Sequence, residues 1–175
     1  MTLDWAGEID RMVSAKQVLR EADQEELWRY EAPNPPATEK AVRQAETAVG
    51  FTFDSEYAAF LRHADGWPAL LQNTDLFGTA DLTGPAYAEA LDLLEDAKAE
   101  AEGTDLAESV GFPIGASETT IDMFVLLRGK GDQQWSIVWM AGAEVERYDS
   151  FPAFFRAMVE HNLREADDFR RRLSE

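Results

Sequence analysis

The chain contains no cysteine. That excludes a disulfide framework, a thiolate nucleophile and any cysteine-based metal site. Histidine is almost as scarce, with only His63 and His161, far apart in the sequence. Basic residues are few: 16 Lys and Arg stand against 34 Asp and Glu, a net charge of −18. Such a surface repels nucleic acid and anionic membrane, and serves either solubility or attraction to a basic partner. No apolar run approaches the ~18 residues of a membrane span. The opening stretch "MTLDWAGEIDRMV" lacks the basic and apolar regions of a secretory signal. The expectation is a cytoplasmic protein with neither a nucleic-acid nor a membrane partner.

What is present points to a folded domain. The chain has 175 residues, 45% of them hydrophobic, with five Trp and ten Phe. One domain of that length can bury a real core. Residues 3–30 read as helical, with Ile9, Met12 and Val13 at helical spacing. Asp23 and Glu26 have the spacing of a capping box for a further turn ending near Trp28. "APNPP" (32–36) must break that helix, because proline removes donors and forbids the α region before it. Residues 1–34 therefore read as an N-terminal helical extension and proline-rich strap, and residues 35–175 as the main domain.

Thr38 caps a helix that runs to Val49, and Gly50 is placed to end it. Asp54 or Ser55 caps the next, in "SEYAAFLRHADGW" (55–67). "PALLQNTDLFG" (68–78) reads as a turn and then a short strand near 75–77. Residues 86–102 form an amphipathic helix whose inner face holds Tyr87, Ala90, Leu91, Leu94 and Ala97 and whose outer face is almost all acid. Four strands follow at 110–114, 122–127, 135–140 and 144–148, joined in part by the turns "GKGD" and "AGA". Short connections make antiparallel neighbours. "MFVLL" and "WSIVWM" are apolar on both faces, which predicts a sheet covered by helices. Ser150 caps the last helix, Pro152 lies in its first turn, and Phe151, Phe154, Phe155, Met158 and Val159 form its apolar stripe. Arg170–Arg172 complement the negative end of that helix's dipole. The class is α+β: a single domain with a mainly antiparallel sheet flanked by helices.

A catalytic assignment fails on spacing. At about 100° per residue, Tyr57, Phe60, Leu61 and Ala64 share one helix face, while His63 and Asp65 sit on opposite flanks roughly 160° apart. They cannot act as a base and its orienter. Gly66 stands where a helix-ending glycine belongs, with Trp67 behind it as an aromatic anchor. His161 lies beside the Phe stripe without a second ligand at helical spacing. The glycines of "GTADLTGP" and "GKGD" lack phosphate-loop spacing, and no serine has a nucleophile-elbow context. The expectation is no enzyme, no catalytic or metal-binding residue and no cofactor.

The pattern of strap, Thr-capped helix with a late glycine, Tyr-x-x-Phe-Leu helix and polar-Gly pair lies in "PPATEKAVRQAETAVGFTFDSEYAAFLRHADGW" (35–67). It resembles the signature of the SMI1/KNR4 (SUKH) superfamily. "LFGTADL", "GFPIGAS", "DMFVLL" and "SFPAFF" follow in the order the family shows, so the resemblance spans 35–159. Phe53-Asp54 stands where relatives carry Leu-Pro, and "SETTID" keeps only Asp122 of a Gly-Gly-Asp-like turn. The resemblance implies an α+β domain without known catalytic apparatus. Many bacterial members look like immunity proteins that neutralise a toxin domain; fungal members look like cell-wall and signalling regulators. The function expected is protein binding, most concretely toxin neutralisation, with a cytosolic scaffold or regulator of unknown ligand as the alternative. Its partner would be a basic toxin domain. Residues 86–110 carry eight acids against Lys98 alone, so Glu95, Asp96 and Glu100, the corner Asp65–Gly66–Trp67 and Asp122 are the candidate contact residues.

Overall fold

The computed structural model describes residues 3–175. Helix α1 (Trp5–Ala22) is followed by α2 (Glu39–Val49) and α3 (Ser55–Leu61). Strands β1 (Trp67–Leu71) and β2 (Thr74–Leu76) form a hairpin, and a short 3₁₀ turn leads into α4 (Pro85–Glu100) and α5 (Asp105–Glu108). Strands β3 (Val110–Ser117), β4 (Asp122–Arg128), β5 (Ser136–Ala141) and β6 (Ala143–Tyr148) precede α6 (Phe151–Leu173). The six strands form one antiparallel sheet in sequence order; short turns join neighbours except β2 and β3, which are linked through α4 and α5. The expected α+β architecture is the one observed.

The caps fall where the sequence places them. Thr38 Oγ1 accepts from Ala41 N at 3.1 Å, and Gly50 ends α2 at φ +85°. Asp54 accepts from Glu56 N and Tyr57 N, and Ser150 Oγ accepts from Ala153 N. Each satisfies a first-turn donor that the helix itself cannot.

Alternation along β4 then builds two cores. Phe124 and Leu126 face the larger one, with Phe112, Phe154 and Phe155. Met123, Val125 and Leu127 face the other way and pack with Leu94 of α4, Val138 and Met140. Helices on both sides explain why this strand is apolar throughout. In the larger core, Phe151 lies 5.5 Å from the Trp5 ring, 5.2 Å from Tyr57 and 5.4 Å from Phe60. Trp5 is thus part of the core, 1% exposed, and its indole N–H donates to Glu56.

Three local expectations are corrected. Helix α3 ends at Leu61, so the left-handed Gly66, expected to end it, instead stands at the entry to β1. The first helix stops at Ala22, and no further helical turn follows. Asp23 closes that end: its carboxylate accepts from Leu27 N, Trp28 N and the Tyr30 hydroxyl, wrapping the chain around itself. Residues 68–71, expected as part of a turn, belong to β1. Pro68 argues against a central strand, but an edge strand tolerates it. Ala69 sits at φ +53°, and its N–H bonds the Asp75 side-chain carboxylate of β2 instead of a backbone carbonyl.

The outer edge of β1 is clad by side chains. Lys16 Nζ donates to the Ala69 and Leu70 carbonyls, and Asn162 Nδ2 donates to Leu70 O at 3.1 Å. Burial lowers the Lys16 ammonium from 10.5 to about 8. Between those values the unfolded chain holds a proton that the folded chain releases, so this group makes stability rise with pH over that window. Above ~10 the opposite sign comes from Tyr30, Tyr57 and Tyr148, whose hydroxyls burial holds protonated in the fold. Comparison with Lys16→Met, which shares those tyrosines, isolates the lysine. Urea denaturation should show the wild type gaining about 1–3 kcal/mol on the variant from pH 7 to 10.5. Phe155 is fully buried, and Phe155→Ala should lower unfolding free energy by about 3–5 kcal/mol in the same assay.

Candidate partner-binding surface

Helix α4 starts at Pro85, where a missing N–H costs nothing. Ala90 and Leu94 are its buried residues, and they seat it on the sheet. The opposite face is solvent: Glu89, Asp92, Glu95, Asp96 and Glu100 are all exposed, as are Glu102, Asp105 and Glu108 beyond. None of these acids makes an ion pair among the described residues. Leu93 lies among them, 40% exposed. It is aliphatic and so lies outside the aromatic anchors expected from the sequence; its position beside Leu94, off the inner stripe, is the sequence signal for its exposure.

The corner at 65–67 is built differently. Asp65 is half-buried, and its carboxylate accepts from Thr79 N at 2.6 Å and Thr79 Oγ1 at 2.7 Å. Asp65 N donates to Pro35 O, and Asn34 N donates to Gly66 O. Gly66 adopts φ +86°, and a Cβ there would stand 2.4 Å from Gly78 N. Trp67 is 1% exposed; its indole N–H donates to Glu31 O and its ring packs on Phe155. The corner is a clasp joining the proline strap, the end of α3 and the loop before α4. With Gly66 and Trp67 in the interior, Asp65 alone of the three reaches solvent. Beside it, Tyr57 donates to Phe77 O, and burial keeps this hydroxyl protonated far above its usual range.

The candidate residues therefore do not form one patch. Roughly 22 Å of helix axis separates the Pro85 end of α4, near the clasp, from Glu100. Asp122 shares the sheet face of Phe124, opposite the face that α4 covers, and holds Trp139 Nε1 at 2.8 Å. His63 is exposed, with Nδ1 2.9 Å from Ala59 O. His161 contacts Glu146 and Arg164 and lies against the Trp139 ring. The described residues contain no group of three or more His, Asp or Glu placed to hold a metal ion. They also contain no helix long and apolar enough to cross a membrane.

Residues 36–157, from the strap through the first turns of α6, match the SMI1 / KNR4 family (SUKH-1). The chain belongs to this family. Comparison with curated proteins gave no match. The SMI1/KNR4 match leaves out α1 and the later turns of α6, and these two segments pack on each other: Leu19 and Ala22 cluster with Ala166 and Phe169.

The clasp makes a sharp demand on Gly66. Gly66→Ala combines a left-handed backbone with a backbone clash, and should cost at least ~2 kcal/mol in urea denaturation. Gly50, also left-handed but with open space around it, should tolerate alanine at about 1 kcal/mol.

Proposed function

We propose that this SMI1/KNR4 chain is a non-enzymatic protein-binding domain that binds and neutralises a cognate bacterial toxin. The observation carrying this reading is the acidic face of α4, whose carboxylates lack ion-pair partners among the described residues while Leu93 stands exposed in their midst. Like charges a turn apart destabilise a helix by a few tenths of a kcal/mol per pair, so the arrangement works against α4 itself. A cationic partner turns that repulsion into attraction. Toxins that act on nucleic acids need basic clefts, and an acidic surface accelerates encounter with them. Family membership supports the reading, since SUKH domains often serve as immunity proteins. The fold alone does not select among the family's uses.

In this assignment Leu93 is the apolar contact at the centre and Glu95, Asp96 and Glu100 form the acidic rim. Asp65 is a peripheral contact, while Gly66, Trp67 and Asp122 hold the framework. The test takes a toxin-like protein, sought among the reading frames that neighbour the one for this chain. Co-expression should protect cells from it, and the purified pair should associate quickly at low salt. Replacing Glu95, Asp96 and Glu100 with Ser should slow association about tenfold at low salt, with the difference shrinking as ionic strength rises. An unchanged rate would remove this face from the interface. Failure to protect would favour a scaffold or regulator.

A further inference from the structure

The two edges of the sheet are treated in opposite ways. The β1 edge is closed by Lys16, Asn162 and Asn34, which bond the carbonyls of Ala69, Leu70 and Gly66. The β6 edge pairs with β5 alone, and five of its six residues are exposed. An open edge presents a row of free N–H and C=O groups, a template for another strand. Six residues make roughly 20 Å of such template.

Alongside β6 runs a groove of about 960 Å³, extending from the Gly142 turn to the loop at Lys130 on the sheet face that α4 covers only in part. Its far wall carries Glu100, Asp105 and Glu108. Its near side carries Arg147, which Glu144 neutralises at 3.0 Å, and Arg128 lies over the Trp135 ring. Lys130 stands at the loop end as an opposing charge. On the other face of β6, Glu146 accepts from the Tyr148 hydroxyl and contacts His161. The β-bulge at Val145 puts Glu144 opposite Met140 and Arg147 opposite Val138, so both point to the groove.

We infer that the outer edge of β6 receives a basic extended segment of the protein partner as an added strand, its cationic side chains directed at the acidic wall of the groove. This rests on the protein-binding reading above and extends the contact beyond α4. Main-chain hydrogen bonds would supply affinity, and alternate side chains specificity. A second copy of this chain is the poorer occupant, because it brings a further net charge of −18 to the edge.

The experiment uses the full chain, labelled with ¹⁵N, at low salt. The probe is a capped octapeptide of alternating Lys with Val or Thr, whose lysines lie on one face of a strand. Two controls carry backbone N-methyl groups at the odd or at the even residues, and a third replaces Lys with Glu. The Lys peptide should shift the amides of residues 143–148 with a dissociation constant of about 1 mM or tighter. One of the two N-methylated forms should bind at least tenfold more weakly, the Glu form should not bind, and Glu100→Ser with Glu108→Ser should weaken the parent peptide. Equal binding of both N-methylated forms, shifts confined to α4, or no shift at 143–148 would overturn the proposal. Shifts at 143–148 on concentrating the protein alone would overturn it in favour of self-pairing. The assay involves no toxin, so the two readings fail separately. Protection with no β6 response removes the edge alone, whereas a β6 response without protection removes the immunity role alone.

Discussion

Phe151 is the side chain on which the helices converge. It occupies the first turn of α6, fully buried, with the rings of Trp5 from α1 and Tyr57 and Phe60 from α3 all within 5.5 Å. Tilted and edge-on ring pairs of this kind add to burial about 0.5–1.5 kcal/mol each. The position of Phe151 is set in turn by Ser150, whose cap starts α6 one residue earlier. From that start the stripe of Phe154, Phe155 and Met158 falls on the sheet, and Phe154 meets Phe124 of β4 at 4.9 Å. The placement of three helices on one sheet face follows from this cluster.

The other sheet face is more thinly covered. Leu94 and the partly buried Ala97 and Leu106 are what α4 and α5 set against Met123, Val125, Leu127, Val138 and Met140. This smaller core leaves the β5–β6 side open as a groove and makes α4 the element whose outer face is free to carry charge. An acidic helix is tolerable there because its carboxylates stay in water, where charges interact weakly. Density of packing and freedom of surface are thus divided between the two faces of a single sheet.

Edge management follows the same division. On the β1 side, a buried lysine and a buried asparagine satisfy carbonyls that no strand reaches, and the proline strap docks against the clasp at Asp65 and Gly66. Glu8 on α1 reaches Arg156 on α6 at 2.9 Å, reinforcing the helix pair that lies over this edge. On the β6 side, a β-bulge and the charges of Glu144, Glu146 and Arg147 do the protecting. Those devices discourage indiscriminate pairing while leaving backbone groups accessible.

The sequence by itself determined the elements whose causes are local. Thr38, Asp54 and Ser150 start helices through their own side-chain oxygens, and Gly50 and Gly66 mark left-handed positions. Alternation in "MFVLL" required apolar cover on both faces, and the family signature lay within a contiguous stretch. The tertiary structure alone decided which apolar or charged residues are available. Trp67 and Leu93 illustrate the point: the expected anchor is interior because the strap and α6 close over it, while an ordinary leucine is left exposed on the solvent side of α4, away from the sheet that Leu94 packs on. β1 was likewise hidden, since Pro68 and the positive φ of Ala69 are tolerable only at an edge clad by Lys16 and Asn162 from distant helices. Caps and turns act over a few residues, so their signals survive in the sequence. Burial and edge exposure depend on what packs from afar, and only the folded chain brings those groups together.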